Sequence, residues 1–321
     1  MTFDSFLAEI PRYRTIGILS HVRPDADAIG SQTALAMWFR ARGVTAYCMN
    51  DDFLPRNLLW LSDRFPVRRT DTQVLAECDA YVVVDGNALH RFGSAGLYVG
   101  RTNKPVFMID HHPDPDSGFT VAVNSVEASS TCELIYRLYR ESDPSLLTLE
   151  AAEALYAGMM TDTGSFRFDS VTADTHLFVA EMMQRTGVQA ATIHRRIFDG
   201  RNIQQIQLLG DVLSTLELHA NGAIATLAVT KDLLADHGCD YSDLDGMVNY
   251  GLSIAGVKAA ILACEMNDGV KLSLRSVEPI DVNLWARELN GGGHVRAAGA
   301  KHKGPMKKTI ADVIRIGMKQ L

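Results

Sequence analysis

Short apolar runs alternate with stretches of helical spacing through about residue 185, the pattern of a parallel sheet with helical crossovers. Thr15–Ser20 (TIGILS) reads as a strand, followed by a polar loop and a helix over 29–41. A second short strand is expected at 44–49. Ala80–Val84 (AYVVV) and 105–109 (PVFMI) are too short for helices, and an aspartate follows each. Helical periodicity returns over 131–141 and 149–160. Ligands of open α/β sheets bind beyond the carboxyl ends of the strands, so these trailing acids are where chemistry is expected.

Residues 186–205 read as a helical linker, and a helix is expected from 203 to 218. Asn221-Gly222 between apolar runs signals a hairpin. The runs 257–265 and 270–275 read as another, turning at Asn267-Asp268-Gly269, and a short helix over 281–289 precedes three glycines. The expected architecture is α/β: a parallel-sheet domain over 1–185, the linker, and a smaller α/β domain over 206–321, with a cleft between them.

The chain's 321 residues leave room for two domains at about 150 residues each. A hydrophobic share of 47% and a charged share of 21% argue against disorder. The first residues, MTFDSFLAEIPRYR, lack the basic-then-apolar layout of a secretion signal, and no apolar run approaches the ~18 residues of a membrane span. Five scattered cysteines without a C-x-x-C pair fit reduced thiols. A soluble, cytoplasmic protein is expected. The net charge of −7 speaks against general duplex-DNA binding. Residues 271–321 hold 10 basic against 4 acidic side chains, which leaves the remainder at −13. Metal cations in the first half and a phosphorylated ligand in the second would fit that asymmetry; chance clustering of surface charge fits it equally well.

The informative residues follow the predicted strands: His21, Asp25 and Asp27 after the first, Asp85 after AYVVV, and Asp110-His111-His112 after PVFMI. Asp162 closes a helix-like run. Parallel neighbours would bring these five aspartates and three histidines to one sheet edge. Several ionised carboxylates in a partly dry site repel one another, and some would have to protonate. Two divalent cations remove the difficulty, because their charge balances four ligating aspartates. Carboxylates with imidazoles and no thiolate favour Mn²⁺ or Mg²⁺ over Zn²⁺. Such a pair suits phosphoester hydrolysis. Each piece also has a plain reading: Asp27 or Asp85 as a helix cap, the two histidines as exposed polar residues. Four separate element ends would all have to place them by coincidence.

In their order, His21-x-x-x-Asp25-x-Asp27, Asp85, Asp110-His111-His112 and Asp162 resemble the four motifs of the DHH phosphoesterase superfamily, which includes RecJ-type nucleases. Gly291-Gly292-Gly293-His294 with Ala297-Ala298-Gly299 resembles the signature of the DHH-associated C-terminal domain. The compact length is most similar to the nanoRNase/oligoribonuclease subgroup, whose members also act on 3′-phosphoadenosine 5′-phosphate (pAp). The resemblance implies two Mn²⁺, with Mg²⁺ the alternative. His21, Asp25 and Asp85 would hold one ion, and Asp27, Asp85, His111 and Asp162 the other, with Asp85 bridging. It makes Asp110 the residue that orients a histidine and His112 a substrate contact or proton donor. Alanine stands at position 26, where glycine is common in the family, and supplies no ligand.

Three consecutive glycines let a chain approach an anion and aim backbone N–H groups at it, though a bare triple glycine is more often a helix stop. Arg275 offers a guanidinium suited to bidentate phosphate binding. With Ser276, Gly291, Gly292, Gly293 and His294 it forms the expected substrate-binding set. Lys301, Lys303, Lys307 and Lys308 read as a solvated face. Ser129-Ser130-Thr131 opens a helix, with ordinary capping favoured over phosphate binding. The expected partners are short RNA oligonucleotides, pAp or dinucleotides, with no membrane and no duplex DNA. Dimers are common in the subgroup, and no interface can be read from the sequence. Competing readings are a cyclic or linear dinucleotide phosphodiesterase, a RecJ-like single-strand exonuclease and, more distantly, a non-catalytic nucleotide sensor.

Overall fold

A computed structural model describes residues 2–321. The chain divides into two units, one ending at Gly200 and the other spanning Arg201–Leu321. Six strands build the first sheet: β1 (Thr15–Ser20), β2 (Thr45–Asn50), β3 (Val67–Arg69), β4 (Ala80–Val84), β5 (Val106–Asp110) and β6 (Val121–Asn124). All pair in parallel, in the order β3-β2-β1-β4-β5-β6. β4 and β5 are buried along their whole length, as unbroken apolar runs in a two-sided sheet must be. The order reverses between β1 and β4. Loops leaving these neighbours diverge to opposite faces, and the crevice opens at their carboxyl ends.

The helices of this unit are α1 (Asp4–Glu9), α2 (Ala26–Ala41), α3 (Thr72–Glu77), α4 (Gly93–Val99), α5 (Thr131–Ser142), α6 (Leu149–Asp162), α7 (Ala173–Thr186) and α8 (Ala190–Phe198). α2 is buried on nearly every side between the sheet, α5 and α6. It crosses α6 so closely that a Cβ on Gly30 would lie 2.4 Å from the Ala154 carbonyl oxygen. Two strands, β3 and β6, and four helices, α1, α3, α4 and α7, escape the sequence reading. β3 and β6 are short edge strands with mixed burial. α7 buries Phe178 and Met182 but exposes Leu177 and Met183, which blurs its apolar stripe. The segment expected as a linker is not a bare connector: Ile193 and Ile197 of α8 join the first unit's core.

The second unit contains α9 (Ile203–Ser214), β7 (Glu217–His219), β8 (Ile224–Val229), α10 (Lys231–Asp236), α11 (Val248–Leu252), β9 (Ala259–Met266), β10 (Gly269–Ser276), α12 (Val282–Glu288), β11 (Gly292–Gly293), β12 (Ala297–His302) and α13 (Met306–Gly317). The expected helix to residue 218 ends at Ser214, and the chain then enters β7. The sheet order is β11-β12-β10-β9-β8-β7, antiparallel except between β8 and β9. Ile224, Ile261 and Leu272 pack with Trp285 and Val313 on one face; Leu227 and Leu262 pack with Leu208 and Met247 on the other. That division is the period-two alternation of strands read directly from the cores. No helix among the described residues is long and apolar enough to cross a membrane.

Candidate metal centre

The loops at the strand-order reversal carry the acids. Asp25 caps α2, and its Oδ1 accepts from the amides of Asp27 at 3.1 Å and Ala28 at 3.0 Å. The cap is therefore Asp25, not Asp27. Freed from that duty, Asp27 is buried in the first turn of α2. Asp85 follows β4 with φ of +56°, a left-handed conformation that aspartate tolerates better than most residues. Its two oxygens face different partners. Oδ2 lies 3.3 Å from His21 Nε2, which is also 3.8 Å from Asp25 Oδ2. Oδ1 lies 3.7 Å from His111 Nε2. The same nitrogen is 3.8 Å from Asp27 Oδ2 and 3.3 Å from Asp162 Oδ2. Among the resulting donor groups are His21/Asp25/Asp85 and Asp27/Asp85/His111, with Asp85 common to both.

The imidazoles test whether a cation fits. His21 Nδ1 is 2.9 Å from the Val22 carbonyl oxygen, and His111 Nδ1 is 3.3 Å from that of Ala128. A carbonyl oxygen only accepts, so Nδ1 carries the proton in both rings. A neutral ring then aims the Nε2 lone pair at carboxylate oxygens, and only a second proton or a cation satisfies that arrangement. Backbone carbonyls fixing the tautomer are the usual support of a ligating histidine. Without a cation the cluster must take up protons. Burial lowers the affinity of His21 for its proton, but the Asp85 hydrogen bond and the charges of Asp25 and Asp85 win and raise its pKa to about 9. Burial, then the charges of Asp85 and Asp162, push Asp27 well above the carboxylate range. Asp85 goes the other way: burial raises it, but the His21 hydrogen bond and the neighbouring imidazoles pull it well below. Oxygen-rich donors with two imidazoles and no thiolate suit divalent cations of the Mn²⁺ or Mg²⁺ kind. Asp110 stands behind this group. It is buried, and its Oδ1 accepts from His112 Nδ1 at 2.8 Å.

Residues that sequence reasoning passed over hold the loops in place. Asn50, ending β2, donates to the His21 carbonyl oxygen at 2.8 Å and to Ser20. Asn124, ending β6, donates to the carbonyls of Asp110 at 3.0 Å and His112 at 2.9 Å. Each flanking strand thus ends in an amide that pins the loop of its neighbour. At the start of α5, the Thr131 and Cys132 amides donate to Asp27 Oδ2 and Oδ1 at 2.7 and 2.8 Å. The Thr131 hydroxyl reaches Asp85 Oδ1 at 3.2 Å. Ser130 caps that helix by accepting from Glu133 N, as ordinary capping requires. Gly158 of α6 makes the room: a Cβ there would sit 2.2 Å from Cys132 Sγ and 2.8 Å from Asp27 Oδ1. The sequence signals for these residues are Asn50, directly after a predicted strand, and the Ser129-Ser130-Thr131 helix opening; Asn124 ends a strand that periodicity does not show.

In the second unit the residues expected to bind substrate are only partly together. Lys271, Ser273 and Arg275 share one face of β10, opposite its core-facing residues. Small residues, Ala297 and Gly299, stand across from Arg275 and Ser273, and Arg275 Nη1 donates to the Leu274 carbonyl at 3.0 Å. Ser276 belongs to the other face. Its buried hydroxyl donates to the Ile280 carbonyl at 2.7 Å, within the turn that follows β10. The three glycines are held by backbone pairing. Gly291 donates to Ala286 O, and Gly292–Gly293 pair with β12 as an edge strand. A Cβ on Gly291 or Gly293 would lie 2.2 and 2.5 Å from β12 carbonyl oxygens, whereas Gly292 has open space. His294 closes the tight turn into β12 through paired backbone bonds with Ala297.

The DHH family N-terminal domain matches residues 15–159, and the DHHA1 domain matches residues 221–315. The chain is similar to the bifunctional oligoribonuclease and PAP phosphatase NrnA of Thermus thermophilus, with 32% identity over 299 residues, 90% of this chain and 84% of that one. The protein of the same name in Bacillus subtilis is 29% identical over 300 residues, 91% of this chain and 90% of the other. Among solved structures, an exopolyphosphatase-related protein from Bacteroides fragilis aligns with a TM-score of 0.92 and 30% identity, covering 99% of this chain and 95% of that one. Both domain types in the same order, and relatives alike over most of their length, place the chain in the DHH family of phosphoesterases, in the subgroup of its NrnA relatives.

Proposed function

We propose that the protein is a metal-dependent phosphoesterase that hydrolyses very short oligoribonucleotides and removes the 3′-phosphate of pAp. The observation that carries the chemistry is Asp85, whose two oxygens face two separate His/Asp groups 3.3 and 3.7 Å away. The substrates come from the relatives named as oligoribonucleases and PAP phosphatases, which align along nearly their full length. His21, Asp25 and Asp85 would hold one Mn²⁺, and Asp27, Asp85, His111 and Asp162 the other. When bound, such a pair neutralises phosphoester oxygens and lowers the pKa of water. The protein's own part is preorganisation: strand-end loops fix the carboxylates, and the Val22 and Ala128 carbonyls set the tautomers of His21 and His111. Asp110 accepts from His112 Nδ1 and so orients the ring; in its imidazolium form His112 would carry a second proton on Nε2 to give to a leaving oxygen. Arg275 and His294 are the groups we assign to a substrate phosphate or base.

A panel of 5′-labelled RNAs from dinucleotide to dodecamer, with pAp, cyclic di-AMP and a long single strand, tests this in Mn²⁺ and in chelator. Dinucleotide and pAp should turn over fastest, and chelator should abolish both. Preference for the long strand would instead favour a RecJ-like exonuclease, and undiminished turnover in chelator would remove the metal from the mechanism.

A further inference from the structure

We propose that Thr131 is a positioning residue that sets the affinity of one metal position, that of Asp27, Asp85, His111 and Asp162. The inference rests on the reading of the cluster as a two-metal centre. Thr131 is fully buried at the first position of α5 and touches two carboxylates at once. Its amide donates to Asp27 Oδ2 at 2.7 Å, and its hydroxyl donates to Asp85 Oδ1 at 3.2 Å. These are the two oxygens that face His111, at 3.8 and 3.7 Å from its Nε2. The other Asp85 oxygen, toward His21, has no bond to Thr131. One residue therefore fixes the spacing of two carboxylates on one side of Asp85 only.

The two bonds differ in kind. The amide is part of the helix and is seconded by Cys132 N, at a helix end whose dipole favours a carboxylate. The hydroxyl is a side-chain contribution and can be removed with little change in volume. Without it Asp85 Oδ1 loses its hydrogen-bond donor from α5, while Oδ2 keeps its contact with His21 at 3.3 Å, so the loss falls on the His111 side. Gly158 adds to the constraint, because the backbone of α6 closes over Asp27 and Cys132 and leaves the carboxylate no other place. A merely structural threonine, satisfied by its nearest acceptor, would affect stability without choosing between the two metal positions.

The test is calorimetric titration of Mn²⁺ into the metal-stripped full-length chain, for wild type, Thr131→Val, Thr131→Ala and Thr131→Ser, with the metal-free Tm of each. Wild type should show two binding steps. Thr131→Val and Thr131→Ala should weaken one step by about tenfold or more while the other stays within about threefold, the size of effect seen when a ligand's supporting partner is lost. Thr131→Ser should restore both. Unchanged affinities in all variants would overturn the role of Thr131. So would a parallel loss in both steps that follows a fall in metal-free Tm and is not rescued by serine. A wild-type chain that takes up no Mn²⁺ would instead overturn the two-metal reading itself, an outcome separate from any failure at Thr131.

Discussion

Asp25 serves two purposes with its two oxygens. Oδ1 caps α2 through two amides, and Oδ2 lies toward His21 at 3.8 Å. Its side chain is 58% exposed, whereas that of Asp27 is 1% exposed, so the centre is closed at its base and open at one rim. Asparagine caps helices as well as aspartate does but ligates divalent cations far more weakly. Asp25→Asn should accordingly keep its metal-free Tm within about 1 °C of wild type while Mn²⁺-dependent turnover falls by about a hundredfold or more. Thermal melts and kcat measured on one preparation check both halves; retained turnover would leave Asp25 a cap alone. The sequence exposed these acids because they lie in the short loop and helix start that follow an apolar strand. It could not say which aspartate caps and which ligates, since that depends on the turn by which each enters α2.

Helices α2, α5 and α6 meet around Asp27, and glycine lets them do so. Gly158 lies inside α6, where glycine ordinarily costs about 0.5–1 kcal/mol relative to alanine. Here that rule should invert, because an added methyl would meet Cys132 Sγ at 2.2 Å and the Asp27 carboxylate at 2.8 Å. Gly158→Ala should lower stability by about 1–3 kcal/mol, the usual cost of overpacking. Gly210, exposed within α9 with no atom within 4 Å of an added Cβ, is the control. Gly210→Ala should raise stability by up to about 1 kcal/mol. Urea unfolding of both variants decides, and a stabilising Gly158→Ala would refute the close packing proposed to hold Asp27. Such contacts are invisible to periodicity, which reports that α6 is helical but not what lies across from residue 158. The same limit hid β3 and β6, whose few residues gain their strand character from neighbours rather than from pattern.

Across the molecule, the net charge of −7 falls wholly in the first unit, since Arg201–Leu321 holds 13 basic and 13 acidic residues. The basic excess read from the sequence is confined to residues 271–321 and is offset by acids between 201 and 270. The acidic excess lies in the unit that gathers the carboxylates; the balanced unit carries Arg275 on the less buried face of β10. Alternation of strands and helices made the α/β class legible. The strand order, and with it the reversal between β1 and β4 that brings Asp25, Asp27 and Asp85 to one crevice, is a property of the folded sheet. The most direct measurement is diffraction at the manganese absorption edge from crystals grown in Mn²⁺. Two anomalous peaks should appear, one among His21, Asp25 and Asp85 and the other among Asp27, Asp85, His111 and Asp162, with Asp85 touching both. A map without density at either group, in crystals of turnover-competent protein, would contradict the claim that paired cations are what these carboxylates are assembled to hold.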